Sequence, residues 1–156
     1  MAIRNIVKKG DEILNKNCKP VTEFNEKLWA LLDDMHETLR DSNGAGLAAP
    51  QVGIIRRIAL ILIEDGEPYL ELINPVIIKK SGRQREIEGC LSCPNVFGYV
   101  KRPKKCVVKA QNRNGEFFEV SLSDLSCRAA CHEIDHLNGH LFTELVDEYV
   151  DPDEME

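Results

Sequence analysis

The sequence has no long hydrophobic run. Its longest apolar stretch, Ile58 to Ile63, falls far short of the roughly twenty residues that cross a bilayer, and this excludes a membrane-spanning helix. Aromatics are scarce, at 6% with a single Trp, and the basic pairs Lys79-Lys80, Lys101-Arg102 and Lys104-Lys105 have none interleaved for base stacking. A formal net charge of −6 repels phosphate backbones as well, so direct nucleic-acid binding is not expected. The N-terminal Met1 to Lys9 has basic residues but no apolar core followed by a small-residue cleavage site; it does not read as a secretory signal, and a cytoplasmic location is expected. In that setting the six cysteines, at 18, 90, 93, 106, 127 and 131, are expected as free thiols or metal ligands and not as three disulfides.

There is no internal repeat and no linker-like stretch. A chain of 156 residues with 43% hydrophobic content suits one domain with one core. We place that domain at 1–146 and read the acidic stretch 147–156 as a solvated, flexible tail. Phe24, Leu28, Leu31, Leu32, Met35 and Leu39 repeat with helical spacing, predicting a first helix that starts after Thr22 and ends at Ser42-Asn43-Gly44. β-branched runs follow at 58–63, 69–78 and 106–110, broken by turn residues such as Asp65-Gly66, and 107–120 folds around Asn112-Arg113-Asn114-Gly115 as a hairpin. A second helix is expected from Asp124 to Asn138, capped by Ser123 and closed by Gly139. Strands lying between two helices, without alternating with them, predict an α+β fold of antiparallel sheets packed around the second helix, with an N-terminal helix besides.

That second helix contains His132-Glu133-Ile134-Asp135-His136, an H-E-x-x-H pattern whose histidines share one face and can reach one metal ion. Glu133 then stands beside the first histidine, placed to handle the protons of a water. Two surface histidines with solvating acids would spell the same letters, so the pattern needs a third donor to read as a catalytic metal site. His140 follows a glycine but lacks the two further spacer residues of the extended metalloprotease pattern, and is expected to be structural or exposed. Cys127 and Cys131 could join Cys90 and Cys93 in a four-cysteine zinc site, but that would leave the histidines unexplained. Cys90, in Glu88-Gly89-Cys90-Leu91-Ser92-Cys93-Pro94, completes a His/His/Cys set with an open position. Upstream, Gly44-Ala45-Gly46-Leu47-Ala48-Ala49-Pro50-Gln51 fails as a dinucleotide loop, because Pro50 interrupts the helix that should follow. Its small residues allow close backbone approach, and Gln51 offers an amide donor to a substrate oxygen.

Taken together, Gly44 to Gln51, Glu88 to Pro94 and Cys131 to Gly139 resemble the three motifs of the peptide deformylase family, in the family's order. The resemblance implies a hydrolase that removes the formyl group from the N-terminal formyl-methionine of new polypeptides, releasing formate. It implies that Cys90, His132 and His136 bind one divalent metal ion, Fe2+ in the cell with Zn2+, Ni2+ or Co2+ tolerated. Glu133 would be the general acid/base, and Gln51 with the backbone N–H of Leu91 would hold the oxyanion. Gly44, Gly46, Gly89 and Ala129 would border the substrate, a nascent chain met at the ribosome by a monomer or weak homo-oligomer. The sequence departs from the family pattern at Cys131, where glutamine is usual, and at Cys93, where an aliphatic residue is common. Arg102 is expected to pair with Glu88 or with Asp135. The competing readings are a zinc metallopeptidase that cuts internal peptide bonds and a non-catalytic module built on structural zinc.

Overall fold

The computed structural model describes residues 2–63 and 69–155; the Asp65-Gly66 turn expected above lies outside them. Helix α1 (Glu26–Ser42) buries Leu28, Leu32, Met35 and Leu39 along one stripe. It begins later than the spacing predicts because Asn25, not Thr22, caps it, its side chain accepting the Leu28 N–H at 3.3 Å. It ends as expected, with Asn43 in the left-handed conformation.

Strands β1 (Gly46–Ala48), β2 (Ile58–Ile61), β3 (Leu70–Ser81), β6 (Lys105–Gln111) and β7 (Phe117–Ser123) form an antiparallel five-stranded sheet in the order β1-β2-β3-β6-β7. A second antiparallel sheet holds β4 (Gln84–Cys90), β5 (Cys93–Arg102) and β8 (Glu148–Val150) in that order. The β6–β7 hairpin turns where expected, with Gly115 at φ 84°. The pairing of β3 with β6 shifts between Ile73 and Val76, at Asn74-Pro75. Pro75 has no N–H for the ladder, and the Asn74 side chain ties the break to Val21 and Gln111 instead. The acidic C-terminal stretch contributes β8 and an Asp147–Arg85 ion pair of 2.6 Å.

Helix α2 (Asp124–Leu137) starts at Ser123 as expected, and Gly139 follows its end at φ 83°. The helix has three faces. One, with Cys127, Ala130, Cys131 and Ile134, packs on the large sheet through Leu72, Val108, Ala110 and Leu122. A second, at Leu137, meets Cys18 and Ala48. The third carries His132 and His136 toward Cys90 of the small sheet, with Glu133 beside Gly46 of β1. Separately, α1 packs on β1, β2 and their neighbours through Leu47, Ile58, Leu60 and Ile73. The helix α2 thus sits between the two sheets, with one face left for chemistry.

Candidate active site

With 100° per residue, positions 132 and 136 of α2 point the same way and 133 lies alongside. Cys90 reaches them from the small sheet. It closes β4 and pairs across a tight turn with Cys93, the first residue of β5. Ligand atoms of Cys90, His132 and His136 lie within 4.8 Å of one another, and Cys90 Sγ is 3.3 Å from His136 Nε2.

The imidazole of His132 is held from behind. Its Nδ1 bonds Glu88 Oε1 at 3.0 Å, which leaves Nε2 facing Cys90 and His136. Glu88 is in turn gripped by both prongs of Arg102, at 2.9 Å each, and Arg102 also donates to Asp135 at 2.7 Å. Arg102 therefore takes both of its expected partners and binds β4 and β5 to the helix. Burial alone would raise the Glu88 carboxyl, but the bonds from His132 and Arg102 bring it down to about 2. Burial, with help from the His132 and Arg102 charges, keeps His136 neutral, well below the ordinary histidine value.

Glu133 is buried and pushed up to about 7 by that burial, and its Oε1 has no hydrogen-bond partner among the described residues. The hydrogen bond with Cys93, burial and the Glu133 charge all push the Cys90 thiol up. One soft donor, two imidazoles and an unpaired carboxylate oxygen, gathered behind a fixed Glu88, suit a divalent cation. Such a charge favours the Cys90 thiolate and a water beside Glu133.

Gln51 lies in the short turn after β1 and is rigidly placed. Its Oε1 accepts the Ala48 N–H at 2.9 Å, and its Nε2 donates to Ser92 Oγ at 3.1 Å and toward Cys90 Sγ at 3.5 Å. A cleft of about 420 Å³ opens beside these groups, bordered by Gly44, Gly46, Gly89, Leu91 and Ala129, with Ile87, Phe97, Leu125 and Arg128 as further walls. Two of these glycines leave no room for a side chain. A Cβ at Gly46 would stand 2.5 Å from Glu133 Oε2, and one at Gly89 would stand 2.7 Å from the Phe97 ring.

All ten residues singled out from the sequence converge here. His140 does not; it is exposed and bonds Glu144 at 3.1 Å. The four-cysteine arrangement is overturned, because Cys127 and Cys131 face Cys106 on the opposite side of the helix from Cys90. Five contributors escaped the sequence reading: Ser92, which steadies Gln51, and the cleft walls Ile87, Phe97, Leu125 and Arg128. Arg128 stands one turn before His132, so helical spacing could have found it. Phe97 comes from strand pairing and had no such signal.

A helix bearing H-E-x-x-H, a facing thiol and an adjoining cleft, set in an α+β fold, describe the class of metal-dependent hydrolases. Residues 3–151 match the polypeptide deformylase family. The peptide deformylase of Acetivibrio thermocellus is 53% identical over all of this chain and 91% of its own length, and that of Thermoanaerobacter pseudethanolicus is 51% identical over all of this chain and 97% of its own. The crystal structure of peptide deformylase from Thermotoga maritima superposes with a TM-score of 0.90 at 38% identity, covering 94% of this chain and 99% of that one. A class I type b peptide deformylase from Acinetobacter baumannii, with Met-Ala-Ser bound, superposes at 0.89 with 32% identity, covering 93% and 99%. The chain belongs to the polypeptide deformylase family, metal-dependent enzymes that remove the formyl group from the N-terminal methionine of nascent polypeptides.

Proposed function

We propose that Cys90, His132 and His136 hold one divalent metal ion and that Glu133 carries the protons of formyl-group hydrolysis at the N-terminal formyl-methionine. The observation that carries this reading is the convergence of three donor atoms within 4.8 Å beside a buried carboxylate with an unpaired oxygen. When bound, the metal supplies a Lewis acid that polarises a carbonyl and acidifies a water. Glu133 accepts the proton of that water as its oxygen adds to the formyl carbon. It returns the proton to the methionine nitrogen as the C–N bond breaks, so that one water is consumed and a free amine and formic acid leave, the acid losing its proton to give formate. The Gln51 amide and the Leu91 N–H donate to the formyl oxygen as it gains charge, each such donor typically contributing about 10²–10³ in rate. Glu88 keeps the His132 ring oriented throughout.

Gly44, Gly46, Gly89 and Ala129 leave the cleft wide enough for the methionine side chain, and Ile87, Phe97 and Leu125 give it apolar walls. The Met-Ala-Ser peptide on the Acinetobacter relative supports a methionyl N-terminus in this cleft. The ion in the cell is Fe2+; a thiolate with two imidazoles also accepts Zn2+, Ni2+ and Co2+. The protein works in the cytoplasm on chains emerging from the ribosome, as a monomer or weak homo-oligomer, with a catalytic domain that runs past residue 146 to include β8. No described helix is long and apolar enough to cross a membrane.

The test is formate release from a short formyl-methionyl peptide by protein purified without oxygen and loaded separately with iron, nickel and zinc. Rapid release that a chelator abolishes is the expected result. Cleavage of internal peptide bonds without formate release would support the metallopeptidase reading instead.

A further inference from the structure

A second group of metal-binding atoms lies outside the catalytic cleft. Cys127 and Cys131, one turn apart on α2, meet Cys106 of β6, and their three Sγ atoms lie within 4.8 Å of one another. All three are buried, at 0%, 6% and 3% exposure, among Leu72, Val108, Ala110, Leu122, Ala130 and Ile134. No His, Asp or Glu joins them among the described residues. Cys127 donates to the Pro103 carbonyl at 3.3 Å. None of the three borders the cleft, and Cys131 points about 100° away from His132 around the helix.

Each thiol packs as a small hydrophobe in this core, and the three, drawn from two elements, also bring their sulfurs to one point. The donors are uniformly soft, which disfavours magnesium, calcium or manganese. A structural zinc ion takes four protein ligands, and here there are three. Metal–thiolate bonds of about 2.3 Å around a central ion set three sulfurs about 4 Å apart, so these three, within 4.8 Å of one another, need only a small approach to close on an ion. We propose that Cys106, Cys127 and Cys131 form a buried, three-coordinate site for a soft thiophilic ion of the cuprous class, separate from the catalytic centre. Each thiol that ligates gives its proton to solvent, and copper enters and stays as Cu(I), so no electron is transferred. The Arg102 guanidinium nearby offsets part of the negative charge gained. Occupancy ties β6 to α2 and stabilises the fold by mass action.

The experiment uses the full chain with nickel in its catalytic site, titrated anaerobically with Cu(I) against a chromophoric cuprous chelator. The expected result is one equivalent of copper bound with nickel retained, an X-ray absorption shell of sulfur without nitrogen, and a higher Tm. Cys106→Ser and Cys127→Ala should each weaken copper binding at least tenfold, while Cys18→Ser should leave it unchanged. As a readout that needs no variant, copper should shield the peptides carrying Cys106, Cys127 and Cys131 from alkylation. Absence of copper uptake, displacement of nickel, or unaltered affinity in both cluster variants would each overturn the proposal.

Discussion

At the scale of single residues, Gly46 and Glu133 set one another's positions. A methyl group at 46 would press 2.5 Å from the Glu133 carboxylate, so Gly46→Ala should lower kcat by about tenfold or more while metal content stays unchanged. Metal analysis alongside steady-state kinetics checks both parts. Gln51→Ala should lower kcat by about 10²–10³ and move KM far less, because its amide acts on charge that develops during the reaction; a change confined to KM would assign Gln51 to uniform substrate binding. Glu133 was legible from the spacing of H-E-x-x-H, whereas the role of Gln51 at the oxyanion and the place of Gly46 beside the substrate came from the family resemblance. Ser92 was not legible as the partner of Gln51, since the two are 41 positions apart and only the fold brings Nε2 within 3.1 Å of the hydroxyl.

At the scale of elements, Arg102 is the joint between the small sheet and α2. It is buried at 6% exposure and holds Glu88 and Asp135 together. Arg102→Ala leaves the Glu88 charge buried with only His132 beside it, and should cost about 3–5 kcal/mol, read as a lower urea midpoint. Arg102→Lys should recover only part of this, because an ammonium lacks the fork that grips both oxygens of Glu88. The two helices and the β6–β7 hairpin were visible in the sequence through long apolar periods and an Asn-Gly turn. β1 is three residues long and set among small residues, too short for any period. The pairing of β8 with β5 depends on long-range register, and an acidic run does not announce a strand. The register break at Asn74-Pro75 was likewise hidden within a run that otherwise reads as continuous strand.

At the scale of the whole molecule, Glu71 fastens α1 and the β6–β7 turn to the large sheet. It bonds His36 at 2.8 Å and Arg113 at 2.5 Å, and Arg113 also reaches Asp33 at 3.2 Å. Burial opposes its charge, yet the bonds from His36 and Arg113 bring the carboxyl from its ordinary 4.5 to about 2. A carboxyl lowered on folding adds stability that is complete above its unfolded value and disappears as pH falls through its folded value. This contribution should therefore fade between about pH 4.5 and pH 2. Glu71→Gln should lose about 1.5–3 kcal/mol at neutral pH and show a flatter decline across that acid window, followed by denaturant unfolding at stepped pH.

The account turns on the division of labour between the metal donors and Glu133, and one sample of Glu133→Gln tests it. Metal content and formate release from a formyl-methionyl peptide are measured on the same preparation, beside the unaltered protein. One retained equivalent of metal, with turnover reduced by about 10²–10⁴, is the predicted result. Near-normal turnover would contradict the role given to Glu133, and loss of the metal would show that the carboxylate belongs to the ligand set.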